Sequence, residues 1–183
     1  LVLAVPAAYG LARLKLRFTV AFALFLLISQ MLPSINLALP LFVLFSRAGL
    51  VNSYHGLIIA NATVTVPFAI IVLRPFFLTV PGEVIEASRV DGSTRFGAFL
   101  RIALPLSTPG LITVAALSFL MAWGDFVFGL TLATKEKMQP ITVTLSQIIT
   151  QFGTRWNELM AVSTVVALPI VLFFVFLQRY IVG

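Results

Sequence analysis

Apolar positions dominate this chain in long uninterrupted runs, and the runs set the expected elements. No Asp, Glu, Lys or Arg occurs within 18–46, 48–73, 102–124 or 159–178. The second window starts fairly polar, through His55 and Gly56, and its apolar core begins at Leu57. A helix needs about 20 residues to cross a hydrocarbon core of about 30 Å, and each window is long enough. The runs are continuous rather than alternating, which selects helices over barrel strands. Residues 1–12 are apolar and uncharged but too short to span a bilayer alone. They lack the basic start and small-residue cleavage site of a signal sequence, so they read as the end of a truncated helix. The expected fold class is an all-α integral membrane protein, a polytopic helical bundle with four complete spans plus a truncated N-terminal one. Residues 1–183 form a single transmembrane domain, expected to be a piece of a longer protein.

Pro33, Pro40, Pro67 and Pro169 interrupt the apolar windows. Each removes a backbone donor and frees a carbonyl one turn earlier. Neighbouring helices, hydroxyls or water can satisfy such carbonyls. Ser29, Pro33, Asn36 and Pro40 recur at helical spacing, which predicts one shared face. Asn61 and Thr65 form an i, i+4 pair on the next span. Such faces serve either as the wall of a polar pathway or as helix-to-helix packing.

Composition agrees: 60% of the 183 residues are hydrophobic and 10% charged, against about 25% charged in a soluble domain. So apolar a chain of this length cannot hide all of its apolar surface from solvent, and lipid must cover part of it. The absence of cysteine excludes disulfides and cysteine metal sites, and the single His55 argues against a histidine metal site. The net charge of +6 raises the possibility of nucleic acid. The basic residues lie between apolar segments rather than on one patch, which points to membrane topology instead. Arg13, Lys15, Arg17, Arg74, Arg89, Arg95, Arg101 and Arg179 fall on one side, and Arg47, Lys135, Lys137 and Arg155 on the other. Eight against four places the loop around 74–104 in the cytoplasm and the loop 129–158 outside.

Segment 80–105 reads VPGEVIEASRVDGSTRFGAFLRIALP. Pro81, Glu83 and Glu86 suit the start of a short helix. Val84, Ile85, Ala87 and Val90 give it an apolar surface. Asp91-Gly92 is a turn signal. Ser93 or Asp91 is expected to cap a second helix carrying Phe96, Phe99, Leu100 and Ala103, and Pro105 to open the next span. Two short helices with a glycine break, presenting apolar surface, call for a partner groove.

Glu86-Ala87-Ser88, Gly92, and Ile102-Ala103-Leu104-Pro105 after nine intervening residues resemble the EAA loop of ABC importer permeases. That form is Glu-Ala-Ala, three residues, Gly, nine residues, Ile, any residue, Leu-Pro. Ser88 in place of alanine is the one departure. Tyr9-Gly10-Leu11-Ala12-Arg13, Trp123-Gly124-Asp125-Phe126, Leu168-Pro169 and Leu177-Gln178-Arg179-Tyr180 resemble further segments of permeases of the carbohydrate-uptake group, of the maltose and glycerol-phosphate type. The resemblance implies the type I ABC importer permease fold in a bacterial plasma (inner) membrane. It implies two ABC ATPase subunits, a second, non-identical permease and an external solute-binding protein as partners, with membrane lipid around them and no nucleic acid. ATPase coupling would fall to Glu83, Glu86, Ala87, Ser88, Asp91, Gly92, Phe96, Ile102, Leu104 and Pro105.

No P-loop, nucleophile elbow or His-Glu-x-x-His pair occurs, so no catalytic residues and no metal ligands are expected. The chain needs no cofactor of its own; ATP and Mg are expected on the partner ATPase. Residues 139–152 place Leu145, Ile148, Ile149 and Phe152 at helical spacing among Thr142, Thr144, Ser146, Gln147, Thr150 and Gln151. They suit a short interfacial helix or a lip meeting the binding protein. Asp125 lies about 30 Å along a helix from Pro105, at the outer boundary, with Trp123 beside it as an interface anchor. The solute pathway is expected to use Ser29, Asn36, Asn61, Thr65, Trp123 and Asp125. Their neutral hydrogen-bonding groups suit a sugar, and the resemblance implies one such as a di- or oligosaccharide. The alternative is a secondary transporter or channel without an ATPase, which usually carries ionisable residues within its spans; none occurs here.

Overall fold

A computed structural model describes residues 1–14, 17–150 and 153–181, with the side chains of residues 150 and 177–181 outside that description. The expectations placed on Lys15, Gln151 and Phe152, and on the side chains of Thr150, Leu177, Gln178, Arg179 and Tyr180, lie outside the described residues. The structure is mostly helical. It divides into two compact units, the first built mainly on Leu1–Gln30 and Val66–Ser118, the second on Met31–Thr65 and Phe119–Gln178.

The first unit holds α1 (Ala4–Arg13), α2 (Thr19–Gln30) and the second half of α4 (Tyr54–Thr79). It continues through α5 (Gly82–Val90), α6 (Arg95–Ala98), a π turn at Phe99–Ala103, α7 (Leu104–Leu106) and most of α8 (Thr108–Trp123). Its core packs Ala4, Ala8 and Leu11 of α1 against Ala69, Ile70, Leu73 and Phe77 of α4, with Phe99, Ala103 and Val114. Tyr9 meets Phe77 edge-on at 5.5 Å and Phe99 at 4.7 Å, within the range where aromatic pairs attract. Gly110 lets α8 come close: a Cβ there would stand 2.3 Å from Cγ of Phe76.

Two arginines tie α1 to α4. Arg13 donates from Nε to the Phe77 carbonyl at 3.0 Å and from a terminal nitrogen to the Val80 carbonyl. Arg74 donates to the Leu11 carbonyl at 3.4 Å. The last carbonyls of a helix have no intrahelical donor. Each arginine supplies donors at or just past the end of the other helix, where a cation also opposes the negative dipole end.

The second unit holds α3 (Ser34–Arg47), the first half of α4, α9 (Val127–Leu132), a 3₁₀ turn at Glu136–Met138 and α10 (Ile141–Gln147). An antiparallel pair, β1 (Ile149–Thr150) with β2 (Gly153–Thr154), precedes α11 (Trp156–Ile181). Phe45, Ala60, Phe128 and Leu132 form its core. Asn52, at φ 58°, joins the α3–α4 turn to the chain after α9. Its backbone N–H donates to Leu132 O at 2.8 Å, its amide nitrogen to Thr134 Oγ1 at 2.7 Å, and its amide oxygen accepts from the Lys135 N–H at 2.8 Å.

Among the described residues two helices, α4 and α11, are long and apolar enough to cross a membrane, and up to four spans result if each broken pair counts as one. Two of the four expected spans are thus broken helices rather than straight ones. The 18–46 window is broken at Met31, Leu32 and Pro33, where Pro33 takes φ −60° and ψ 135°. Proline withholds its N–H and biases the preceding residue away from α geometry. The 102–124 window bends by 75° at Ser107, between Leu106 and Thr108. Pro105 thus lies in α7 rather than opening a straight span. Pro67 and Pro75 in α4 and Pro169 in α11 are accommodated without a break.

Among the described residues of 139–150, helix covers Ile141–Gln147, and Ile149 begins the strand pair. Ile148 is buried and Ile149 exposed, so the expected single helical face does not extend past Gln147.

Candidate functional site

Two constellations gather the residues singled out by sequence, one in each unit.

In the first unit α5 starts after Pro81, at φ −60° and ψ 131°, with Glu83 in its first turn and Arg89 in its last. The helix ends in a closed C-terminal motif. The Ser93 N–H donates to Ser88 O at 2.9 Å and the Gly92 N–H to Arg89 O at 3.2 Å, with Gly92 at φ +90°. This pair of bonds around a left-handed residue satisfies carbonyls that would otherwise be orphaned. Thr94 caps the next helix, its Oγ1 accepting from the Gly97 N–H at 3.0 Å. The expected caps, Ser93 and Asp91, are both consumed in ending α5, so the cap falls one residue later.

Ser88 is buried and its hydroxyl donates to Ile85 O at 2.8 Å. Its burial gives a packing reason for a small side chain at that position. Glu83, Glu86, Ala87 and Asp91 are exposed, Ile102 and Leu104 half-buried, and Pro105 exposed. Phe99 and Ala103 anchor the segment in the α1–α4 core, while Val90 at 88% and Phe96 at 68% exposure stand out from it. A cleft of about 590 Å³ beside α5 is lined by Tyr9, Arg13, Ile85, Glu86, Arg89 and Arg95, among others. The loop is thus a rooted platform with apolar and charged groups on its free surface.

In the second unit Asn61, Thr65 and Asp125 meet. Asp125 follows the end of α8, whose 16 residues run about 24 Å. Its carboxylate accepts from the N–H groups of Phe128 at 3.3 Å and Gly129 at 3.0 Å, so it caps α9. It also accepts from the Asn61 amide at 3.3 Å, and its backbone carbonyl accepts from the Thr142 hydroxyl. Asn61 donates additionally to Leu57 O at 3.2 Å, and Thr65 donates to Asn61 O at 2.8 Å. A cleft of about 270 Å³ is lined by Ser34, Asn61, Val64, Thr65, Gly124 and Asp125, among others.

The other expected pathway residues are not gathered there. Ser29 belongs to the first unit and its hydroxyl bonds Leu26 O at 2.7 Å. Asn36 is exposed on α3. The helix breaks before Pro33, so Ser29 and Asn36 belong to different helices, α2 and α3. Trp123 stacks on Phe119 at 5.6 Å, and its indole N–H donates to Val166 O at 3.1 Å, three residues before Pro169. It pins α8 to α11. Sequence reasoning missed Ser34, and it placed Thr142 in the outer segment without its bond to Asp125; the Pro33-Ser34 step, a helix start signal, marked the first.

The family described as "Binding-protein-dependent transport system inner membrane component" matches residues 1–182. The chain is 37% identical over 177 residues to the probable ABC transporter permease protein YurM of Bacillus subtilis (strain 168), covering 96% of this chain and 59% of that protein. It is 33% identical to the diacetylchitobiose uptake system permease protein DasC of Streptomyces coelicolor, covering 98% of this chain and 65% of the relative. It is 36% identical to the trehalose transport system permease protein SugB of Mycobacterium tuberculosis, covering 100% and 67%. The chain thus spans about three fifths to two thirds of the length of these relatives.

Proposed function

Because this chain belongs to the family of inner membrane components of binding-protein-dependent transport systems, we propose that it is the permease subunit of an ATP-driven importer for a carbohydrate. It spans a bacterial plasma membrane several times. It pairs with a second, non-identical permease, receives solute from an external binding protein, and is driven by two ATPase subunits that hold ATP and Mg. The chain itself carries no catalytic step. Diacetylchitobiose and trehalose, named for two relatives, support a di- or oligosaccharide as the solute.

The observation that carries the coupling role is the 80–105 segment. Its backbone is closed by the Gly92 motif, its root is packed on α1 and α4, and Val90 and Phe96 remain free. A rigid element with exposed apolar residues transmits displacement, whereas a tether would absorb it. Glu86 has no ion-pair partner within 4.0 Å among the described residues and is available to a basic group of the ATPase.

Mild purification of the full-length protein tests the proposal: an ATPase should copurify, and its hydrolysis should rise when the loaded binding protein is added to reconstituted vesicles. Uptake without any ATPase companion would instead mark a secondary transporter. For the pathway, Asn61→Leu should impair uptake while assembly and basal hydrolysis persist. Loss of assembly would mean that Asn61 is packing glue.

A further inference from the structure

We propose that the cleft at Asn61, Thr65 and Asp125 is an acceptor-rich wall that selects hydroxyl-bearing solutes and rejects anionic ones, a reading that rests on the pathway assignment above.

The selectivity follows from which hydrogen-bonding capacity is already used. A carboxylate accepts only, so the Asn61 group facing Asp125 must be its NH₂. The two amide hydrogens of Asn61 go to Asp125 Oδ2 and Leu57 O. Its Oδ1 has no hydrogen bond among the described residues and is not among the buried polar atoms without a partner, so it is open to a ligand. Asp125 thereby acts as a positioning residue: it fixes which end of the Asn61 amide the cleft presents. The Thr65 hydroxyl spends its hydrogen on Asn61 O and keeps only acceptor capacity. Asp125 has no donor to offer. Of the four polar side chains lining the cleft, Ser34 alone carries a hydroxyl with no hydrogen bond among the described residues. A polyol satisfies this wall, because each hydroxyl both donates and accepts. Among the cleft's side chains a carboxylate, phosphate or sulfonate meets two open acceptors and the Asp125 carboxylate with one side-chain donor to set against them, and an unpaired polar group is costly to bury.

The test needs no knowledge of the solute. This chain has no cysteine, and Val64 lines the cleft without belonging to the polar set. Val64→Cys is placed in the full-length permease, freed of any other cysteine and assembled with its partners. It is labelled with hydroxyethyl, aminoethyl and sulfonatoethyl methanethiosulfonates, each rate being divided by that for free cysteine. The sulfonatoethyl reagent should react at least about tenfold slower than the hydroxyethyl one, and the aminoethyl one at least as fast as the hydroxyethyl. Adding Asp125→Asn should narrow the gap several-fold, because it removes the charge and introduces donors; Asp125→Glu should retain it. If Asp125→Asn does not assemble, Thr65→Val serves as the second arm and should narrow the gap by removing one acceptor. Equal rates for the sulfonatoethyl and hydroxyethyl reagents, or a gap unmoved by these variants, would overturn the proposal. Discrimination in the labelling with normal uptake by Asn61→Leu would place an acceptor-lined cleft off the solute path. Lost uptake in Asn61→Leu without discrimination would leave the pathway and remove the selectivity.

Discussion

At Gly92 two costs of substitution separate cleanly. No atom lies within 4 Å of the position a Cβ would occupy, yet φ is +90°. Space is therefore not the constraint; backbone geometry is. Left-handed geometry costs an ordinary L-residue about 1–2 kcal/mol, and asparagine tolerates it better. Gly92→Leu should leave the chain inserted but release the ATPase or abolish its stimulation by the loaded binding protein. Gly92→Asn should keep most of the stimulation. Solute-stimulated ATP hydrolysis in vesicles, read beside ATPase copurification, checks both; equal behaviour of the two variants would show that φ is irrelevant to coupling. Glu86→Lys should weaken stimulation less, since one exposed charge pair contributes only about 0–1 kcal/mol. The glycine was legible in sequence because Asp-Gly is a turn signal. The Thr94 cap was not, because Asp91, Ser93 and Thr94 are all competent caps and only the closure of α5 decides among them.

For elements, the apolar windows correctly marked where helices lie but not where they stop. A window of uncharged residues records solvation, not backbone continuity. Pro33 ends one helix, while Pro67, Pro75 and Pro169 do not, and their one-letter pattern is the same. The bend at Ser107 was signalled by the run Ser107-Thr108-Pro109-Gly110, which the hydropathy of its flanks outweighed. Gly110 also governs how closely α8 approaches α4. Gly110→Ala would place its Cβ 2.3 Å from the Phe76 ring, and overpacking of this kind costs about 1–3 kcal/mol. The variant should show a lowered melting temperature in detergent, and Phe76→Leu should restore much of it. A double variant no better than the single one would show that the ring is not the obstacle. At the α3–α4 turn Asn52→Ala loses both the side-chain bridge to Thr134 and Lys135 and a residue tolerant of φ 58°. Asn52→Gly loses only the bridge and should be the milder change in the same assay.

At the scale of the whole molecule, the basic residues predict sidedness, and a cysteine-free sequence makes that testable. Ser93→Cys and Lys137→Cys should label from opposite faces of the membrane. Labelling of both by an impermeant reagent applied outside would refute the eight-to-four assignment. Segment 80–105 was the most legible part of the molecule because its pattern is local: a turn and an amphipathic face lie within 26 residues of sequence. The Asn61–Asp125 meeting was not, because it joins positions 64 apart, and no local pattern encodes such a pairing.

The crossed arginines of α1 and α4 bear on how the chain acquires its orientation. Arg13 and Arg74 each complete the other helix only if both helices end on the same face of the bilayer. With α1 turned over, its guanidinium would be out of reach of the Phe77 and Val80 carbonyls, and the end of α4 would lose those donors. The contacts of Arg13 and Arg74 therefore hold the ends of both helices to one side. Charge-conserving Arg13→Lys keeps the topogenic signal but not the planar fork that reaches two carbonyls. It should insert correctly yet be degraded faster in a pulse-chase, whereas Arg13→Ala should also yield a fraction of inverted chains. Equal lifetimes for wild type and Arg13→Lys would show that charge alone sets the orientation.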